Sequence, residues 1–200
     1  MANSRLFEPL QLGHCQLKHR MVMAPLTRFR APNEGIPAPY VKTYYEQRAS
    51  VPGTLIVSEA TYISPRAGGY KNVPGIWSID QVEAWKEITD AVHAKGSFIY
   101  LQLWALGRTA EESTLTKAGY PVMSSSDVAA SPKHPVPKAM TLEDIQTFTK
   151  DYADGARNAI AAGFDGVEIH GTIQTVLRNQ TTLTVWQAPM ATSSTNSHTS

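Results

Sequence analysis

Four short, nearly continuous apolar runs punctuate the first 171 residues, at 21–24, 54–57, 97–101 and 166–169, with longer amphipathic stretches between them. Apolar runs of this length suit strands covered on both faces, as in a parallel sheet. Their alternation with helical periodicity predicts βα units. The stretch from Asp80 places Val82, Trp85, Ile88 and Val92 at helical spacing, opens with a capping-box-like Asp80/Glu83 pair and stops at Gly96. The stretch from Thr141 repeats that grammar, with Asp144 three residues on, then Ile145, Phe148, Tyr152, Ala156, Ala159 and Ile160 on one stripe, and Gly163 at the end. A third helix is predicted over residues 39–49, with Pro39 in its first turn.

Residues 107–140 break the pattern, being rich in Ser, Pro and Gly; the SPKHPVPK segment leaves no room for a helix or a central strand. They read as a loop excursion after the third strand. Residues 172–200 differ again: Ser and Thr fill 12 of 29 positions and Arg178 is the one charged side chain. A segment so poor in apolar groups cannot offset the entropy of ordering, so the tail is expected to be disordered, with a short apolar stretch at residues 183–186. The chain divides into a structured part, 1–171, and a divergent tail, 172–200.

Charge and composition then narrow the function. Eighteen Lys and Arg balance 17 Asp and Glu in 200 residues, with no basic block, which argues against nucleic acid or an anionic membrane surface as partner. No apolar run approaches the roughly 18 residues of a membrane span, and the start lacks a signal-peptide core. Cys15 alone makes no internal disulfide and sits in a predicted turn, as a small filler; the expectation is a cytoplasmic chain. The fingerprints GxGxxG and GxxxxGK[ST] are absent, and His93, His134, His170 and His198 lack metal-ligand spacing, so no metal is expected. The sequon at Asn179 reads as chance.

What remains lies just past the carboxyl ends of the four predicted strands, where parallel α/β folds build their sites. Pro25, Leu26 and Thr27 follow the first run, Ala60 the second, Gln102 and Trp104 the third, and His170 the fourth. An amide, a hydroxyl, an indole and an imidazole on one end of a sheet suit a flat heteroaromatic ligand, because the amide pairs with a pyrimidine edge and the indole walls a pocket. Each residue alone has an ordinary structural use, in a turn or a core.

Taken in order, the segments LFEPLQLG (6–13), MAPLTRFRA (23–31), YYEQRAS (44–50), SEATYISPRAGGY (58–70), PGIWS (74–78), LQLWALGR (101–108) and GFDGVEIHG (163–171) closely resemble the amino-terminal half of the Old Yellow Enzyme family, the FMN-dependent ene-reductases. The resemblance implies a TIM barrel of which residues 5–171 make the first four βα units. A closed barrel takes about 250 residues. It also implies that Pro25, Leu26 and Thr27 line the flavin, Ala60 sits beside the ring, Gln102 holds the pyrimidine end, His170 binds the substrate carbonyl, and Tyr70 and Trp104 shape the substrate pocket. The implied reaction carries hydride from NAD(P)H through FMN to an α,β-unsaturated carbonyl compound, an enone or enal. After His170-Gly171 the family continues Ala-Asn-Gly-Tyr, whereas this chain has Thr172, Ile173, Gln174 and Thr175, losing a carbonyl ligand and a phenolic proton donor. The alternative expectation is therefore a truncated, catalytically impaired fragment, with open sheet edges through which copies self-associate.

Overall fold

The computed structural model describes residues 4–32 and 34–171, together with the strand pairing of Trp186–Gln187. The chain opens with a hairpin, β1 (Leu10–Leu12) and β2 (Cys15–Leu17), paired antiparallel about a turn in which Gly13 takes a positive φ of 55°. Strand β3 (Val22–Met23) leads to helix α1 (Pro39–Arg48), whose first position is Pro39. Next come β4 (Leu55–Val57), the short β5 (Thr61–Tyr62) and α2 (Ile79–Ala94). The long β6 (Phe98–Trp104) precedes the excursion, which holds α3 (Glu112–Lys117) and the two-residue strands β7 (Met123–Ser124) and β8 (Lys138–Ala139). Helix α4 (Leu142–Ala161), β9 (Gly166–Ile169) and β10 (Trp186–Gln187) complete the described elements.

The main sheet runs β10-β9-β6-β4-β3, with β5 pairing β6 further along its length. Contacts β3·β4, β4·β6 and β6·β9 are parallel, so the helices between them are crossovers, and the four predicted strands and three predicted helices are present among the described residues. Helices α1, α2 and α4 cover one face of this sheet. Ile56, Ile99, Leu101, Leu103 and Val167 point into that layer, where they meet Trp85, Ile88, Val92, Phe148 and Ala159. Because side chains alternate along a strand, Tyr100, Gln102 and Trp104 share the opposite face, where Leu115 of α3 joins the cluster around Trp104. The hairpin closes the lower end of that face, packing Cys15 and Leu17 on Leu55 and Tyr100.

Two glycines are required by this geometry. A Cβ at Gly166 would stand 2.7 Å from the Tyr100 ring, its neighbour in the β6·β9 register, so only a bare backbone lets the phenol lie across β9. Gly163 ends α4 at φ +86°, the left-handed region that stops a helix without Cβ strain.

Several sequence expectations need correction. The cap of α2 is Ser78, not Asp80: its hydroxyl accepts from the Gln81 amide, and the Gln81 Oε1 accepts from the Trp77 and Ser78 amides, so the box is Ser78/Gln81. Asp80 sits in the first turn instead. Cys15 is in strand β2 rather than a turn and is fully buried. Burial first, then the charge of Asp165, push its thiol up to about 12. Gln102 and Trp104 lie within β6, which runs three residues further than the apolar run suggested. The excursion at 107–140 is organised rather than featureless, because the buried Arg108 guanidinium donates to the hydroxyls of Ser124, Ser125 and Ser126 and to the Val128 carbonyl. The disorder expected for 172–200, and the sequon at Asn179, fall outside the described residues, except that Trp186–Gln187 pair as a strand. No described helix is long and apolar enough to cross a membrane.

Candidate active site

The carboxyl ends of β3, β4, β6 and β9 lie side by side, and the residues singled out from the sequence gather there. The loop leaving β3 carries Pro25 and Thr27 half-buried and Leu26 49% exposed. It is tied to the next loop by the Glu59 carboxylate, which accepts from the Arg28 amide at 3.1 Å. That bond places the Thr27–Arg28 peptide beside the end of β4. Burial raises the Glu59 pKa above the ordinary carboxylate value, and the Arg28 amide works against that shift. Ala60, directly after Glu59, is buried among Tyr62, Val73 and Trp104.

Gln102 is the polar break in an otherwise apolar strand. It is 5% exposed, its Nε2 donates to Glu168 Oε1 at 2.6 Å, and its backbone amide donates to Ser58 Oγ at 3.2 Å. Gln102 and Glu168 are register partners across β6·β9, so the pair is built by strand pairing rather than by a loop. With the amide nitrogen engaged, the Gln102 carbonyl oxygen accepts no hydrogen bond among the described residues.

Above this pair lies an aromatic shelf. Trp104 stacks on Tyr62 with ring centroids 5.4 Å apart and on His170 at 5.6 Å, the latter with planes only 18° from parallel. Tyr70 leans on the same indole at 6.0 Å, and its amide donates to the Tyr62 hydroxyl. The His170 amide donates to the Leu103 carbonyl, which fixes the end of β9 against β6. A buried indole N–H is a donor with no acceptor capacity, and Trp104 Nε1 has no hydrogen-bond partner among the described residues. Beside Tyr70 opens a cleft of about 570 Å³ toward Glu111 and the 132–135 segment.

Burial against this shelf lowers the His170 pKa below its ordinary value, so at neutral pH the imidazole is uncharged and can donate through its protonated nitrogen. Two-dimensional NMR of the imidazole should give a midpoint for His170 below about 6.5. The sign for stability follows: the unfolded chain binds this proton more readily, so His170 weakens the fold as pH falls through 6.5 and has no effect well above it. A midpoint at or above 6.5 contradicts the buried environment.

The sequence reading quoted Glu168, Tyr62, Glu59 and Arg108 within its segments but gave none of them a role. Glu168 carried a signal, since it and Gln102 are polar residues inside apolar runs. Tyr62 and Glu59 carried none outside the three-dimensional arrangement.

The chain matches the model of the "NADH:flavin oxidoreductase / NADH oxidase family" over residues 5–179. It belongs to that family. It is 63% identical over 168 residues to the "NADP-dependent oxidoreductase lnbE" of Aspergillus flavus, covering 84% of this chain and 45% of that protein. It is 58% identical over 172 residues to the "Probable inactive reductase easA" of Epichloe festucae var. lolii, covering 86% of this chain and 45% of that one. Among solved structures, the Old Yellow Enzyme of Pichia sp. AKU4542 superposes with a TM-score of 0.80 at 41% identity, covering 84% of this chain and 46% of that structure. The chain thus spans about half the length of the family members it matches, and its parallel α/β sheet is part of their TIM barrel.

Proposed function

We propose that these residues form the ring-binding and carbonyl-binding strands of an FMN-dependent ene-reductase acting on small α,β-unsaturated carbonyl compounds, with NAD(P)H as reductant. The observation that carries this reading is the layout of one end of the face opposite α1, α2 and α4: the Gln102–Glu168 pair lies one step below Trp104, which stacks on His170, whose pKa burial lowers. FMN, when bound, supplies a two-electron carrier between nicotinamide and alkene. The residues present fit its ring. Gln102 offers a carbonyl oxygen and is held in place by Glu168; Pro25, Leu26, Thr27 and Ala60 would line the ring; Trp104 contributes a buried N–H with no partner among the described residues.

His170, by donating to a substrate carbonyl oxygen, would stabilise the negative charge that grows there, an oxyanion-type contribution. Tyr70 and Trp104 would border the alkene. For the phosphate, the sequence offers no glycine-rich fingerprint. A cytoplasmic location fits the single buried Cys15.

A second reading, an impaired fragment, is favoured by one feature: the outer edge of β3 has no partner strand among the described residues. Both readings share a test. Titrating the chain into FMN should quench flavin fluorescence through stacking near Trp104, and Gln102→Leu should weaken that binding about tenfold, the effect of one lost hydrogen bond in a buried site. Equal quenching by parent and variant removes Gln102 from the flavin site. No quenching by the parent favours the impaired fragment.

A further inference from the structure

At the end of the sheet opposite the aromatic shelf, the turn after β1, the start of β2 and the residue before β9 bring His14, Cys15 and Asp165 together. One ligating atom from each lies within 4.8 Å of the other two. His14 and Cys15 are adjacent, but Asp165 lies far along the chain, which hid this grouping from any spacing rule. His14 Nε2 is 3.4 Å from Asp165 Oδ1, while the other carboxylate oxygen takes the His93 ring nitrogen at 2.9 Å and the Ile99 amide at 2.8 Å. Asp165 is thus pinned on one side and offers its second oxygen to the space between His14 and Cys15.

We infer that His14, Cys15 and Asp165 form a structural site for a divalent cation of the zinc class, joining the hairpin to the foot of β9. Thiolate, imidazole and carboxylate together suit zinc or cobalt and are unsuited to magnesium or calcium, which take oxygen ligands. Tetrahedral zinc bonds of about 2.0–2.3 Å place ligating atoms roughly 3.5 Å apart. The His14–Asp165 separation of 3.4 Å already matches that, and the three ligating atoms lie within 4.8 Å of one another, so binding draws the hairpin in by about an ångström. Water fills the fourth position. On binding, the Cys15 S–H bond breaks, its proton leaves to solvent and the sulfur pair forms the metal bond. The His93–Asp165 contact is the outer hydrogen bond that orients a ligating carboxylate. The lone buried cysteine gains a use that packing alone does not require.

The test is a titration of the full purified chain with cobalt(II) and with zinc chloride. The proposal predicts one equivalent bound, a near-ultraviolet sulfur-to-cobalt charge-transfer band and a higher thermal midpoint with zinc. Cys15→Ala should abolish the band, and His14→Ala, an exposed change that leaves the fold in place, should weaken zinc binding by about 10–100-fold or more. His134→Ala, in the excursion, should bind as the parent does. The proposal is overturned by absence of the band in the parent, by dissociation constants weaker than about 0.1 mM, or by unchanged zinc affinity in His14→Ala.

Discussion

The Trp85→Ala chain unfolds at a much lower urea concentration than the parent, with a loss of about 3–5 kcal/mol, the range for deleting a buried large aromatic side chain. Trp85 has no solvent exposure and sits where α1, α2 and the approach to β9 converge. Its ring meets Phe164 edge-on with centroids 5.3 Å apart and Tyr45 at 6.1 Å. Its Nε1 also donates to the Gly75 carbonyl at 3.1 Å, so alanine strands a buried acceptor as well as opening a cavity. A domain has only about 5–15 kcal/mol of stability. The variant therefore stands close to unfolding at room temperature. Ile79→Ala serves as the comparison, since that side chain is 68% exposed and surface changes usually stay within about 0.5 kcal/mol. Urea melts followed by tryptophan-independent circular dichroism decide the matter: a loss below about 1 kcal/mol for Trp85→Ala means the packing around α2 is loose.

The second large effect concerns turnover. Supplied with FMN and NADPH, the 200-residue chain alone reduces 2-cyclohexenone no faster than free flavin does. Joined after Gly171 to the carboxyl-terminal half of the Pichia enzyme, which shares 41% identity over the matched part, it gains turnover at ordinary enzymatic rates, about 1–10³ per second. In that joined form His170→Ala lowers kcat by about 10²–10³, the usual result of removing one donor to a developing oxyanion. NADPH consumption at 340 nm with a chromatographic assay of cyclohexanone measures both. Full activity of the unjoined chain would show that the described strands suffice for flavin and substrate, contrary to the open β3 edge. An unaffected His170→Ala would move the carbonyl contact elsewhere.

The parts of the fold readable in advance were those where one physical signal dominates. Helix α4 was legible because Thr141 and Asp144 cap it locally and Gly163 ends it at positive φ. Strand β9 was legible because its apolar run is bounded on both sides. Helix α2 was found but its start was misplaced, since Asp80/Glu83 and Ser78/Gln81 both have capping chemistry and only the latter forms the reciprocal bonds. The last part of β6 was hidden because Gln102 interrupts the apolar run, and its partner Glu168 comes from a strand 66 positions away. The hairpin β1–β2 was missed for the same kind of reason: its inward residues, Cys15 and Leu17, gain their burial from Leu55 and Tyr100. The candidate site residues were picked out as strand-end chemistry and through a resemblance to known motifs, although Gln102 and Trp104 lie inside β6. The shelf that unites Tyr62, Trp104 and His170 needed coordinates.

The antiparallel seat of β10 on β9 has a consequence for assembly. Backbone groups along one margin can serve a single neighbour, so β10 occupies the place a further parallel strand would take. A newcomer on that side must evict it or pair with its outer edge, whereas β3, at the opposite margin, has no partner strand among the described residues. β10 therefore shifts the β9 margin outward by one strand without closing it, and at two residues long it offers little ladder for a further strand to join.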